Sequence, residues 1–128
     1  MSQLNKKYWE TISEEYANIV GETGDINHQK IINPTVFALL GNLDGKTVLD
    51  AGCGNGYMSK QMAQTAKQVI GIDFTSNLIQ DATRKNNTEN VKFIEGDLTN
   101  LPFRENTFDV ILCHMVLMDI ESLESVAQ

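Results

Sequence analysis

The sequence predicts an α/β fold built on an open, parallel β-sheet, and three observations support this prediction. Short apolar runs recur along the chain, each of a length that suits a strand buried on both faces. Segments with the helical spacing of apolar residues separate the first three runs. The first run leads directly into the glycine-rich stretch "GCGNG". Such alternation implies parallel strands, right-handed crossovers and helices on both faces of the sheet.

Two helices are predicted before the first strand. In the stretch "YWETISEEYANIV", apolar residues such as Tyr8, Tyr16 and Ile19 lie near one helical face, which we expect to be buried. The stretch "NPTVFALLGNL" predicts a second helix. Pro34 falls in its first turn, where a missing N–H costs little because it has no partner within the helix.

About four strands and two helices are predicted in the rest of the chain. The strands are "KTVLDAG", "QVIGID", "VKFIEG" and "FDVILCHM". One helix runs through Met58, Met62 and Ala66, and Ser76 is expected to cap the next. With 128 residues, the chain is long enough for one domain with one core. We expect a single domain over residues 1–128, with a helical segment at 1–44 and the sheet at 45–128.

Composition narrows the classes of function. Ten Lys and Arg against seventeen Asp and Glu give a net charge of −7, which disfavours a broad nucleic-acid interface. No apolar run is long enough to span a membrane, and the first residues lack the apolar stretch of a secretory signal. Cys53 and Cys113 are far apart without paired ligand spacing, so we expect buried thiols, no metal site and a cytoplasmic protein.

The glycine-rich stretch predicts a ligand site. Gly52, Gly54 and Gly56 follow the first strand, and ligands of open α/β sheets bind beyond the carboxyl ends of strands. Glycine allows a positive φ and lacks the Cβ that would block a ligand. Dinucleotides prefer G-x-G-x-x-G, whereas here Tyr57 stands where the third glycine would fall. A dinucleotide is therefore disfavoured, and a tight turn without a ligand is the structural alternative.

Four ordered stretches carry a family resemblance: "VLDAGCGNGY", "VIGIDFT", "VKFIEGDLTNLPF" and "FDVILCHMVLMDI". Over roughly Tyr8 to Ile120, the sequence resembles the class I S-adenosylmethionine-dependent methyltransferases. Within that family, it is similar to the small-molecule branch that includes enzymes of ubiquinone and menaquinone biosynthesis. The resemblance implies a Rossmann-like fold, S-adenosylmethionine as cofactor, S-adenosylhomocysteine as product and a small-molecule methyl acceptor.

The resemblance also implies roles for residues at strand ends. Asp73 would accept the two ribose hydroxyls, and Phe74 would lie against the adenine face. Asp97 would accept the adenine amino group, while the Leu98 N–H meets a ring nitrogen. A buried Asp50 needs partners, for which the loop N–H groups or the ligand's ammonium would serve. Each residue also has a structural alternative: a solvated strand end, a core position, a turn or a brace for the loop.

The methionine end of the cofactor would meet backbone carbonyls near Gly52 and Cys113. Tyr16 matches a position that can close over this end, although its helical spacing also fits a core residue. His114 follows the fourth strand and could orient a substrate, with an ordinary half-buried histidine as the alternative. The candidate cofactor-binding residues are Tyr16, Asp50, Gly52, Cys53, Gly54, Gly56, Asp73, Phe74, Asp97, Leu98 and Cys113.

The catalytic residues stay unassigned, because a sulfonium methyl is a good electrophile and the sequence shows no obvious base. The family's sheet normally has seven strands, so the resemblance implies that the domain is incomplete at its C-terminal end. Alternative functions are a non-catalytic S-adenosylmethionine-binding module, an aminopropyl transferase or an NAD-dependent enzyme. An exposed fourth strand would pair with a second copy, unless residues 119–128 fold back over it.

Overall fold

A computed structural model of the chain describes residues 2–127 and confirms the open α/β fold. Four parallel strands lie in the order β3-β2-β1-β4. Their bounds are Thr47–Ala51 for β1, Gln68–Asp73 for β2, Val91–Glu95 for β3 and Val110–Cys113 for β4. The fourth strand lies beside the first and at the edge of the described sheet.

The sheet register brings the carboxyl ends of the central strands together. Ala51 at the end of β1 pairs with Ile72 of β2 on one side and with Cys113 of β4 on the other. Because all the strands are parallel, the loops that follow β1, β2 and β4 emerge at one edge of the sheet. The glycine-rich stretch is the first of these loops.

Within residues 2–127, five α-helices accompany the sheet. They are α1 (Gln3–Val20), α2 (Asn33–Leu40), α3 (Tyr57–Met62), α4 (Ser76–Lys85) and α5 (Leu123–Ala127). One turn of π-helix, His28–Ile32, leads directly into α2. Pro34 lies in the first turn of α2 as predicted. The helix predicted to run through Met58 and Ala66 is shorter than expected, since it ends at Met62. None of the helices within residues 2–127 has the length and apolar character needed to cross a bilayer.

Two predictions about the helices are wrong. Tyr8 and Ile19 are exposed, because α1 rests on the body of the domain over a narrower stripe than its apolar pattern suggests. Ser76 does not cap α4: it is the first helical residue, and its N–H donates to a carboxylate oxygen of Glu10 at 2.6 Å. A side chain from α1 therefore satisfies a free N–H group at the start of α4.

The core lies on both faces of β1. Val48 belongs to one buried cluster, together with Met62 of α3 and Val20 of α1. Leu49 belongs to the other, together with Leu98 and Ile120. Successive side chains of a strand point to opposite faces, so a strand that is buried on both sides reads as one continuous apolar run.

Phe93 of β3 explains two of the glycines. A Cβ on Gly56 would lie 2.3 Å from the Phe93 ring, and one on Gly71 would lie 2.8 Å from it. Gly56 also has a φ of +79°, a conformation that other residues rarely adopt. The start of α3 thus packs directly against an aromatic ring in the next-but-one strand.

We predict that Gly56→Ala destabilises the fold by about 3 kcal/mol, since it combines a strained φ with a clash against Phe93. Gly45→Ala is the matched control, because Gly45 has a φ of +71° but nothing within 4 Å of the added Cβ. The control should lose only about 1 kcal/mol. Urea unfolding followed by circular dichroism measures both, and equal losses would contradict the role of Phe93.

Candidate functional site

A cavity of about 450 Å³ lies at the carboxyl ends of β1 and β2. Its wall combines α1, the π-helical turn, the loops after β1 and β2 and the segment after β4. The candidate residues on this wall are Tyr16, Asp50, Gly52, Cys53, Gly54, Asp73 and Phe74. The structure therefore brings most of the predicted site residues together around one space.

The glycine-rich loop is tied to the end of β2. The N–H groups of Gly52 and Cys53 both donate to the carbonyl oxygen of Ile72, at 2.7 and 3.0 Å. The next N–H along the loop, that of Gly54, donates to Oδ2 of Asp73 at 2.9 Å. These bonds fix the loop as a compact wall. Side chains cover its glycines, since a Cβ on Gly52 would lie 2.3 Å from Val116 and one on Gly54 would lie 3.4 Å from the Tyr16 ring.

The carboxylate of Asp73 accepts two backbone hydrogen bonds at this end of the cavity. Its second oxygen, Oδ1, accepts the N–H of Thr75 at 2.8 Å, so two backbone groups orient the carboxylate. Burial raises the pKa of Asp73, while the hydrogen bonds from Thr75 and Gly54 act in the opposite direction. Each carboxylate oxygen has a further lone pair beyond these bonds. The group is thus held in place with acceptor capacity left for a ligand.

Asp50 is more deeply enclosed and has one side-chain partner. It is 3% exposed, and its Oδ2 accepts the hydroxyl of Ser59 at 2.6 Å. Burial raises the pKa of Asp50 to about 6; the Ser59 bond opposes this shift and the charge of Asp73 adds to it. Sequence reasoning did not identify Ser59, because only the fold brings this α3 residue onto the end of β1.

Tyr16 covers the glycine-rich loop from α1. A Cβ on Gly54 would lie 3.4 Å from the Tyr16 ring, which places the ring directly over the loop. Trp9 packs edge-to-face on Tyr16, with ring centroids 5.5 Å apart. Burial, followed by the charges of Asp73 and Asp50, raises the pKa of Tyr16. The phenol therefore stays protonated and can donate a hydrogen bond into the cavity.

The other four candidates lie off this wall. Beside Gly56, the Phe93 ring occupies the space where a Cβ would lie. Asp97 shapes the turn after β3, where one carboxylate oxygen accepts both the N–H and the hydroxyl of Thr99, at 2.8 and 2.7 Å. Leu98 is buried in the core, and Cys113 is a half-buried, free thiol at the end of β4. Their assignment to the cofactor stays a prediction.

Several wall residues escaped sequence reasoning. His28 and Tyr57 line the cavity with His114, and their rings pack edge-to-face with His28 between the other two. The pair Asp25-x-x-His28 was the available signal, since side chains three residues apart meet on one side of a helical turn. Within residues 2–127, His, Cys, Asp and Glu side chains form no group of three that could hold a metal ion.

A protein-family profile described as "Methyltransferase domain" matches residues 42–128. Among curated proteins, phosphoethanolamine N-methyltransferase 3 of Arabidopsis thaliana is 30% identical over 95% of this chain and 26% of its own length. Demethylmenaquinone methyltransferase of Staphylococcus aureus is 31% identical over 84% of this chain and 48% of its own length. The chain thus spans between about a quarter and a half of these relatives.

Solved structures with the same fold include two in which more than a quarter of the aligned residues are identical to this chain. A putative S-adenosylmethionine-dependent methyltransferase from Listeria monocytogenes is 28% identical, with a TM-score of 0.67 over 73% of this chain and 44% of its own. Magnesium protoporphyrin IX methyltransferase from Synechocystis PCC 6803, with bound S-adenosylhomocysteine, is 26% identical. Its TM-score is 0.67 over 84% of this chain and 55% of its own.

The raised pKa of Asp50 predicts that the free energy of unfolding falls as the pH rises. Its pKa of about 6 in the folded chain exceeds the ordinary value of 3.8, so between these values the folded state binds more protons than the unfolded state. Stability contributed by this group is present below about pH 4 and is lost as pH rises past 6. The loss amounts to about 2 to 3 kcal/mol.

We expect Asp50→Asn to remove this loss, measured by urea unfolding between about pH 4 and pH 7.5. Asp81→Asn is the control, because the ion pairs of Asp81 with Arg84 and Lys85 lie on α4 outside the cavity. The control variant should still lose stability as the pH rises, because it keeps Asp50. Equal pH trends in the two variants would contradict the assignment.

Proposed function

Because the chain belongs to the methyltransferase-domain family, we propose that it binds S-adenosylmethionine and transfers the methyl group to a small-molecule acceptor. The single observation that carries the proposal is the bond from the Gly54 N–H to Asp73 on the cavity wall. It places an oriented carboxylate on the cavity wall beside the glycine-rich loop, which suits a ribose and an amino-acid tail. The family's cofactor and the methyl transfer named for its relatives agree with this arrangement.

The residues present fit the cofactor. Asp73 would accept the ribose hydroxyls, and Phe74 would lie beside the adenine. The buried carboxylate of Asp50 faces the same cavity and would favour the ligand's ammonium group. When bound, S-adenosylmethionine supplies an electrophilic methyl group, and the cavity wall positions the acceptor against it and excludes water.

We infer that the methyl acceptor is a small molecule. The relatives are named for phosphoethanolamine and demethylmenaquinone, which differ widely in polarity. A cavity of about 450 Å³ lies in the range of small-molecule sites. Residues 1–128 act in this proposal as one domain, with the helical segment 1–44 closing over the core 45–128. Two free thiols, Cys53 and Cys113, support a reducing compartment such as the cytoplasm.

We also propose that two copies of this chain associate through β4. Ile111 on this edge strand is 61% exposed. The residues after β4 pack onto a face of the sheet through Ile120 and Val126, and β4 is the last strand of the described sheet. An apolar strand with unpaired N–H and C=O groups favours pairing with a second copy about a two-fold axis.

We predict that Asp73→Asn weakens S-adenosylhomocysteine binding by about 1.5 to 3 kcal/mol, as expected for lost hydrogen bonds to a charged group. The measurement is isothermal titration calorimetry on protein shown to be folded by circular dichroism. Asp81→Asn should bind as the wild type does. Unchanged affinity in Asp73→Asn would remove the ribose assignment, and tighter binding of NAD than of S-adenosylhomocysteine would overturn the proposed function.

We predict that light scattering over a concentration series reports a dimer that Ile111→Lys dissociates, because a charge on an edge strand opposes pairing. Leu39→Lys is the control: Leu39 is 83% exposed, but it lies on α2 away from the edge. A wild-type chain that stays monomeric at the highest concentration would contradict the proposed association.

A further inference from the structure

Asp25 and His28 form a fixed pair beside the cavity. Oδ1 of Asp25 accepts the backbone N–H of His28 at 2.9 Å and lies 3.0 Å from the ring nitrogen Nδ1. The His28 side chain is 19% exposed and lines the cavity. Since one carboxylate oxygen contacts both the backbone and the ring of the same residue, the imidazole has little freedom to turn.

Packing holds the ring from its other sides. The Tyr57 ring lies edge-to-face with it at 6.0 Å, and the His114 ring does so at 6.5 Å. Gly24, with a φ of +76°, makes room for this arrangement, because a Cβ there would lie 2.7 Å from Cβ of His28. The histidine is therefore part of a built wall, formed by the segment before α2, by α3 and by the segment after β4.

The Asp25 contact determines which ring nitrogen is available. A carboxylate beside Nδ1 favours the tautomer with the proton on Nδ1, which leaves the lone pair on Nε2. The same carboxylate stabilises the imidazolium that forms when Nε2 takes a proton. The neighbouring His114 also lines the cavity, but burial and then His28 lower its pKa, so it is a weaker proton acceptor than an ordinary histidine.

We propose that His28 is the general base of the methyl transfer, that Asp25 positions it, and that the acceptor carries an aromatic or enolic hydroxyl. The assignment rests on the proposed function. The acceptor oxygen attacks the methyl carbon, the carbon–sulfur bond breaks, and its electron pair remains on sulfur. The hydroxyl proton moves to Nε2 of His28, so the step yields a methyl ether, a thioether and an imidazolium.

The surroundings of His28 favour this class of acceptor. Ile32, Tyr57 and Met115 line the same cavity, and an apolar wall of this kind suits a ring. A carboxylic acid is already ionised at neutral pH and needs no base. A phenol or enol must lose its proton as it reacts, which is the task that an oriented imidazole performs.

The test uses 4-nitrophenol, whose ionised form alone is yellow, as a probe for the acceptor site. The chain is first saturated with S-adenosylhomocysteine, and the probe is then titrated at about pH 6. We expect the ionised fraction of the bound probe to exceed that of the free probe about tenfold, because an imidazolium forms beside it. His28→Gln should abolish this excess and Asp25→Asn should reduce it, whereas Lys30→Ala, an exposed neighbour, should keep it.

A second measurement does not depend on variants. Nitrogen-15 NMR of the histidine-labelled wild-type chain should find His28 protonated on Nδ1 and bare on Nε2. The opposite tautomer, no binding of the probe, or equal ionisation in the wild type and His28→Gln would each overturn the assignment. Calorimetry distinguishes a failure of the proposed function from a failure of the role of His28. If the wild-type chain does not bind S-adenosylhomocysteine, the proposed function itself is wrong. Normal binding of S-adenosylhomocysteine with any of those three results removes only the role of His28.

Discussion

The hydrogen bond between the Gly54 N–H and the Asp73 carboxylate is the contact on which the rest of the site depends. It joins the loop after β1 to the end of β2, and the adjacent bonds to the Ile72 carbonyl continue the same connection. The loop is thereby fixed between the ends of the two strands, with Val116 packed beside Gly52 and Tyr16 beside Gly54. The same carboxylate accepts the N–H of Thr75 and so also fixes the entry to α4. One buried acceptor therefore sets the positions of two walls of the cavity.

The use of a carboxylate as this acceptor places negative charge inside the cavity. Asp73 and Asp50 bring two carboxylates into a poorly solvated space, and burial raises the pKa of both. Backbone N–H groups offset part of this cost at Asp73, and the Ser59 hydroxyl does so at Asp50. Two carboxylates in a poorly solvated space are costly without a counter-charge, and no Lys or Arg of the described residues lines the cavity.

The sequence predicted the sheet well because each strand is a short apolar run and the first two crossovers each contain a helix of recognisable spacing. It also predicted that Asp73 and the glycine-rich loop would meet, since parallel strands end at one edge. The sequence did not predict contacts that depend on the distance between two packed elements. The apolar pattern of α1 could not reveal that Tyr8 meets solvent, and the glycine spacing could not reveal that Phe93 occupies the space beside Gly56. Ser59 was missed because only the fold brings it to Asp50, whereas the Asp25-x-x-His28 spacing was present in the sequence and was not used.

The attachment of α1 to the body of the domain has a consequence for exchange between the cavity and solvent. Glu10 binds the first N–H of α4, Lys6 pairs with Glu95 at 3.0 Å, and Asn5 donates to the carbonyl of Asp119. These are charged or polar contacts near the surface, and dissolved ions screen such contacts far more than they weaken apolar burial. The helix that carries Tyr16 is thus attached in two different ways, because its other end is anchored by Val20 in the apolar core. Added salt should therefore loosen the end with Lys6 and Glu10 and leave the end at Val20 packed.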